Sequence, residues 1–192
     1  MMTGNPETFA IESHITRAYE ELGLRALGFF TVMIKGRRFG VHEEDATMMA
    51  NSYDEVCRRI ANRGQHTAPF GADGCSRDIA FSVMSALYSD PPEKMSALGI
   101  SYDALDKLVH GNRLEWAPDG DAAFDDGSHV LQFDVGDHVR LIGFKRSDEG
   151  LFDPCSLVDQ RLPADEFYSI LEEWRDAFVS EWERYPKERL SE

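Results

Sequence analysis

The stretch HVLQFDVGDHVRLIGF, residues 129–144, says most about the fold of this chain. Leu131, Phe133 and Val135 alternate with more polar residues in its first half, and a second apolar run follows. A period of two is typical of a β-strand, because successive side chains point to opposite faces of a sheet. The Gly-Asp pair at 136–137 is a two-residue turn that suits the twist of paired strands. The stretch therefore predicts an antiparallel hairpin.

Three segments near the start of the chain are also predicted as strands. Residues 8–15 alternate apolar and polar side chains, as a half-buried strand does. Residues 27–34 are rich in β-branched and aromatic side chains, which favours a more central strand. The segment KGRR at 35–38 contains a glycine and predicts a turn into a short strand at 39–41, which completes a meander.

The middle of the chain changes to the period of about 3.6 residues that characterises helices. The first helix is predicted to begin at Ser52, which forms a capping box with Glu55, and to end at Gly64. Two more helices are predicted at 76–89, just before an Asp-Pro-Pro sequence, and at 101–110.

A long amphipathic helix closes the chain. Pro163 is expected in its first turn, where a missing N–H group does no harm, and Pro186 is expected to end it. Its apolar side chains recur every three or four residues and form one stripe: Phe167, Ile170, Leu171, Trp174, Phe178 and Trp182.

Strands at both ends of the sequence, with helices between and after them, predict an α+β fold. We expect a mainly antiparallel β-sheet packed by helices on one face, with the long C-terminal helix among them. The length of 192 residues is enough for one full hydrophobic core, and no repeat or flexible linker divides it. A single domain over residues 1–192 is therefore expected.

The chain is strongly acidic, with a net charge of −15. Residues 1–110 carry 15 acids and 11 bases, a net −4, whereas residues 111–192 carry 20 acids and 9 bases, a net −11. Such a field repels nucleic acids and anionic membranes and attracts basic partners, although acidic surfaces also serve solubility. The basic segment at 58–66 is expected to pair with acids of the chain itself.

No apolar run reaches the roughly 18 residues of a membrane span, and the first residues lack the features of a signal peptide, so a cytoplasmic protein is expected. Motifs of common catalytic and nucleotide-binding sites are absent.

The cysteines at 57, 75 and 155 are widely spaced, which predicts reduced, mostly buried thiols. The histidines are expected to be structural, although His129 and His138 flank the hairpin and could be neighbours. No metal and no cofactor is expected.

The densest polar cluster is the loop at 115–127, with five carboxylates and no base. A Ca²⁺ or Mg²⁺ site would use several of its aspartates, but their spacing differs from that of a standard calcium loop. Pro-Asp-Gly and Asp-Asp-Gly sequences also favour turns in which Asp side chains bind backbone N–H groups. In a third alternative the loop binds Lys or Arg of a protein partner. Its candidate partner-binding residues are Glu115, Trp116, Asp119, Asp121, Asp125 and Asp126.

Acids on the last helix offer a second candidate surface for a partner. Glu172, Glu173, Asp176 and Glu183 carry the same sign of charge as the loop. A helix presents them on a more rigid platform than a loop does.

Several strings together resemble the immunity protein 42 family of bacterial polymorphic-toxin systems. The strings are GNPETFAIE at 4–12, DATM at 45–48, NS at 51–52, RGQH at 63–66, WAPDGD at 116–121, FDDG at 124–127 and the helix from FY at 167–168 to Trp174. The resemblance implies a small cytosolic protein that binds a secreted toxin domain and blocks it. It implies no catalytic residues.

The leading hypothesis is therefore a toxin-neutralising binding protein whose partner is a cognate, basic toxin domain. The alternative from another class is a small metal-dependent hydrolase that uses the loop from Asp119 to Asp126. The sequence leaves the oligomeric state and the identity of the toxin open.

Overall fold

The computed structural model describes residues 1–88, 94–116, 122–147 and 149–189. In chain order its elements are β1 (Met2–Asn5), β2 (Phe9–Tyr19), β3 (Ala26–Ile34), β4 (Arg37–Phe39), β5 (Thr47–Met48), α1 (Ala50–Ala61), α2 (Ser76–Tyr88), α3 (Tyr102–Gly111), a short 3₁₀ helix (Ala122–Phe124), β6 (Ser128–Val135), β7 (His138–Arg146), β8 (Phe152–Pro163), α4 (Ala164–Arg184) and β9 (Lys187–Glu188). The predicted α+β class and the long C-terminal helix are confirmed. Among the described residues, no helix is long and apolar enough to cross a membrane.

The first sheet is built around β2 and β3, two of the predicted strands. Its antiparallel path runs β1-β2-β3-β4, while β5 pairs with β3 and β9 lies parallel to β2. β3 is buried along almost its whole length, which explains its nearly continuous apolar sequence. Lys35 and Gly36 adopt φ angles of 50° and 74° between β3 and β4. Positive φ at both central residues is the geometry of a tight hairpin turn, so the predicted turn is confirmed. The strand after it begins earlier than predicted, at Arg37–Phe39 instead of 39–41, because the turn needs only two residues.

The predicted hairpin lies in a second sheet, where β6, β7 and β8 pair antiparallel in that order. Val135 lies opposite His138 across the turn, and Gly136 there has a φ of 61°, which glycine adopts without steric cost. The expectation of one sheet was wrong. The third strand of this sheet, β8, contains Pro154 and no regular apolar alternation, so its sequence pattern did not predict it.

The two sheets approach each other closely at Gly143 on β7. A Cβ atom at this position would lie 2.5 Å from the ring of Phe39 on β4, so a larger side chain does not fit. The pairing of β7 with β8 shifts register just after Gly143, as at a β-bulge.

Two hydrophobic clusters lie on either side of the second sheet. The first includes residues from both sheets, α1 and α4, among them Trp174. The second includes residues from α2, α3 and the second sheet, among them Phe133. Because side chains alternate along β6, its neighbours Val130 and Leu131 belong to different clusters. The second sheet is therefore buried on both faces.

The start of α1 differs from the prediction. The helix begins at Ala50 and no side chain caps it, so the predicted capping box of Ser52 and Glu55 was wrong. Glu55 lies inside the helix, where its carboxylate forms ion pairs with Arg58 at 3.1 Å and Arg59 at 2.9 Å. A carboxylate held by these two cations cannot turn back to the helix start. The internal pairing expected for the basic segment is thereby confirmed.

The predicted ends of α3 and α4 agree closely with the structure, whereas α1 ends at Ala61, three residues before the predicted stop at Gly64. Ser101 caps α3, because its Oγ accepts a hydrogen bond from the N–H group of Ala104 at 3.3 Å. Pro163 is the N-cap of α4, and the helix ends at Arg184, two residues before Pro186.

One minor prediction was wrong, and one contact that the sequence left open is not formed. All three cysteines are free, but Cys75 and Cys155 are exposed and Cys57 is half-buried, so the thiols are not mostly buried. His129 lies opposite Phe144, whereas His138 lies beside the hairpin turn, so the two histidines occupy opposite ends of the hairpin.

A buried polar network connects α1, β6 and α4. Arg59 donates through Nη1 to Gln132 Oε1 at 3.0 Å, and Gln132 Nε2 donates to Tyr168 Oη at 2.9 Å. Tyr168 donates in turn to Asp134 at 2.9 Å. Asp134 also accepts two backbone N–H groups of the loop after α1. Burial and then the charge of Asp134 raise the pKa of Tyr168, so its hydroxyl remains a donor at pH 7.

His66 is buried beside this network. Its Nδ1 lies 3.1 Å from the carbonyl oxygens of both Asn112 and Arg113. Since a carbonyl oxygen can only accept, Nδ1 carries the proton. Nε2 is buried without a hydrogen-bond partner among the described residues. Burial and then the charge of Arg59 lower the pKa of His66, so the imidazole is neutral in the folded protein at pH 7.

We predict that Trp174→Ala lowers the free energy of unfolding by about 3–5 kcal/mol, as expected when a buried aromatic residue becomes alanine. Trp174 is fully buried, and its indole N–H donates to Ser13 Oγ at 2.9 Å. Urea denaturation measures the change. The control Ser180→Ala, on the exposed side of α4, should change stability by less than about 0.5 kcal/mol. Near-wild-type stability of Trp174→Ala would contradict its place in the core.

Acidification should destabilise the fold through His66. A histidine whose folded-state pKa is lowered stabilises the protein above its unfolded pKa of about 6.5, and this contribution is lost as the pH falls through the folded pKa. His66 adds a slope of at most about 1.4 kcal/mol per pH unit below pH 6.5. Urea denaturation between pH 7.5 and 5 should show a shallower pH dependence for His66→Asn, whose amide N–H₂ replaces Nδ1–H. Equal slopes would show that His66 does not titrate as stated.

Candidate functional site

Trp116, one of the candidate partner-binding residues, belongs to the core. Only 1% of its surface is exposed, and its ring lies near those of Phe9, Phe30 and Phe167. The guanidinium of Arg59 lies 4.7 Å from the centre of the indole ring, a cation–π contact. An aromatic side chain buried in this way is not available on the surface, so Trp116 is removed from the candidate interface.

Glu115, the neighbouring candidate, is also buried, with 8% of its side chain exposed. Its Oε1 lies 2.5 Å from His129 Nδ1, and its backbone carbonyl accepts a hydrogen bond from Arg59. Burial lowers the pKa of Arg59 to about 10, against the opposing effect of Glu55, so the guanidinium is still charged at pH 7. Glu115 therefore belongs to a buried charged cluster and not to an open acidic loop.

The four aspartates that remain as loop candidates do not share one environment. Asp125 is exposed, whereas Asp126 accepts the backbone N–H of Ser128 at 3.1 Å and pairs with Lys145 across the hairpin. These contacts match the turn-forming alternative for Asp126. Asp119 and Asp121 lie outside the described residues. Within the described residues, no group of three or more His, Cys, Asp or Glu could hold a metal ion.

The exposed face of α4 gathers six carboxylates into one strip. We call this strip the acidic ridge: Asp165, Glu166, Glu172, Glu173, Asp176 and Glu183, all of them exposed. At 3.6 residues per turn these positions fall within a sector of about 120°. The predicted helix candidates therefore lie on one surface, together with two acids from the first turn.

Three acids of the ridge are neutralised or held by neighbours. Asp165 pairs with Arg63, and Arg175 donates to Asp176 at 2.7 Å, which lowers the pKa of that carboxyl. Ser169 donates to Glu173 at 3.2 Å. The other three ridge acids form no ion pair with any described residue. Those acids are Glu166, Glu172 and Glu183.

The rest of the fold holds α4 rigidly beneath the ridge. Tyr168 is tied to the buried network near the start of the helix, and Trp174 is tied to β2. At the far end, the indole N–H of Trp182 donates to the carbonyl of Arg25 at 2.7 Å. A charged surface on a helix anchored along its length does not have to be ordered when a partner binds, which lowers the entropic cost of binding.

The sequence interpretation missed two members of the ridge. Asp165 and Glu166 precede Glu172 and Glu173 by seven residues each. Residues seven apart lie on the same side of a helix, so this spacing is the signal that identifies them. The helix dipole also favours negative charge at the start of a helix. Without the seven-residue spacing, that effect would be enough to explain why Asp165 and Glu166 are acidic.

Comparisons with known proteins address the family and the fold. The family model for immunity protein 42 matches residues 1–177. Among solved structures, the fold is similar to that in the crystal structure of CdiI from Burkholderia dolosa AUO158. The TM-score is 0.58 at 13% identity, over 92% of this chain and 99% of that chain. No curated protein matches. Because the family model spans most of the 192 residues, the chain belongs to the immunity protein 42 family.

Proposed function

We propose that this chain protects a bacterial cell by forming a stoichiometric complex with a toxin domain in the cytoplasm, with the acidic ridge as the contact surface. An immunity protein binds its cognate toxin, and the family match supports that role here. The proposal adds that the toxin surface is basic and that neutralisation requires no catalysis by this chain.

The observation that carries the proposal is the set of unpaired acids on the anchored helix α4. Glu166, Glu172 and Glu183 are exposed, and no described residue lies within ion-pair distance of them. Glu172 still interacts at longer range with Arg63 and Arg175, whose pKa values are raised by hydrogen bonds to their ion-pair partners and also by the charge of Glu172. Charges already paired within a protein gain little from a partner, whereas unpaired charges on a rigid surface attract opposite charge over a longer range. A toxin surface rich in Lys and Arg fits this ridge.

Surface charge alone does not provide tight binding. An exposed ion pair contributes about 0.2–1 kcal/mol, whereas a nanomolar complex requires about −12.3 kcal/mol. The ridge therefore serves mainly to speed encounter and to select the partner, and further contacts must supply most of the affinity. The alternative contact region is the loop that contains Asp119, Asp121 and Asp125, which is negatively charged like the ridge.

Neutralising the ridge should weaken toxin binding. We expect Glu166→Gln, Glu172→Gln and Glu183→Gln together to raise the Kd at least tenfold, about 1.4 kcal/mol, with a near-normal melting temperature. The matched variant Asp119→Asn, Asp121→Asn and Asp125→Asn also removes three charges and should change the Kd less than threefold. Calorimetric titration with the purified cognate toxin domain measures both Kd values. The reverse ranking would move the interface to the loop.

Salt should slow the association. Exposed charges are screened within about 10 Å at 0.1 M ionic strength, so the association rate constant should fall steeply as salt rises from about 0.05 to 0.5 M. The neutralised ridge variant should show a clearly flatter dependence, because it has lost part of the attracting charge. Stopped-flow mixing with the same toxin domain measures the rates. Identical salt dependence for wild type and variant would contradict steering by the ridge.

A further inference from the structure

We infer that a cavity beside Glu115 receives one lysine or arginine side chain of the toxin, an inference that rests on the proposed function. The cavity has a volume of about 200 Å³ and lies between α1, the end of α3 and residues 113–115. The described residues that line it are Glu55, Val109, His110, Arg113 and Glu115. The ridge accounts for encounter, and this cavity supplies the short-range contact that the ridge lacks.

Two buried carboxylates line the cavity. The side chains of Glu55 and Glu115 are 7% and 8% exposed. Both oxygens of Glu55 are engaged, by Arg58 and Arg59. In Glu115, Oε1 lies beside His129, whereas no hydrogen bond from a described residue reaches Oε2. Among the residues that line the cavity, Glu115 therefore has a carboxylate oxygen, Oε2, that can still accept a hydrogen bond from a ligand.

The chemistry of the cavity selects a cationic donor. A carboxylate oxygen is an acceptor only, and a charged N–H donor forms stronger hydrogen bonds with it than a neutral donor does. The C-terminal end of α3 forms the wall at Val109 and His110, and the negative end of a helix dipole also favours a cation. A long, thin side chain with a charged tip, that of Lys or Arg, meets these requirements.

Positive charges also face the cavity. Arg59 is held by Glu55 and by the backbone carbonyl of Glu115, so its charge is already compensated. His110 lies at the mouth with Nδ1 3.2 Å from Asp106 Oδ1. Arg113 is exposed and forms no ion pair with a described residue, so its side chain can turn to solvent when a cation enters. Displacing Arg113 is part of the cost that binding must overcome.

Two substitutions test the cavity without removing a core residue. His110→Trp places a large side chain at the half-exposed mouth, and Glu115→Gln removes the charge while keeping the shape. Each should weaken binding of the cognate toxin domain at least tenfold, mainly through faster dissociation. The matched control Ala104→Trp introduces the same side chain at an exposed position of α3 outside the cavity and should stay within twofold. Melting temperatures verify that each variant is folded.

A double-mutant cycle identifies the ligand. When Glu115→Gln is combined with neutralisation of each toxin lysine and arginine in turn, one residue should show a coupling of at least fivefold. The absence of coupling to any basic residue overturns the inference, as does normal affinity of either cavity variant. If the cavity variants bind normally while the ridge variant binds weakly, the proposed function stands without the cavity. If the wild-type chain does not bind the toxin domain, the proposed function fails and this inference fails with it.

Discussion

The guanidinium of Arg59 is fully buried between α1 and the second sheet, and the positions of its neighbours follow from that burial. Removing a charge from water costs several kcal/mol unless it is paired and hydrogen-bonded. Here Glu55, Gln132, the carbonyl of Glu115 and the ring of Trp116 compensate the charge together. Each must stay in place, so Arg59 connects α1, β6 and the segment that enters the acidic loop.

Both proposed contact regions depend on this buried charge. Through Gln132 the network reaches Tyr168, which holds the first half of α4 and therefore the acidic ridge. Through the Glu115 backbone it fixes the residue whose carboxylate lines the cavity. An immunity protein benefits from such a scaffold, because a binding surface that is already ordered loses little entropy when the toxin docks. The ridge acts at long range and the cavity acts at contact, so their roles are physically distinct.

Features that depend on residues close together in the sequence were predicted better than features that depend on residues far apart. The hairpin at 129–144, the bounds of α3 and the apolar stripe of α4 were predicted correctly, because periodicity and turn residues act over a few neighbouring residues. The capping box at Ser52 failed because Glu55 pairs with Arg59 instead. The strand β8 was missed because its pairing with β7, and not its own pattern, makes it a strand.

The sequence by itself determined the types of most elements, the acidic character of the C-terminal half and the resemblance to an immunity protein family. Only the tertiary structure decided that there are two sheets, that Trp116 and Glu115 are buried, and which carboxylates of α4 remain unpaired. The physical reason is that burial and pairing are set by residues far apart in the chain. Arg59 and Gln132 are 73 positions apart, and Trp174 and Ser13 are 161 apart. No local pattern encodes such contacts, because folding alone brings these side chains together.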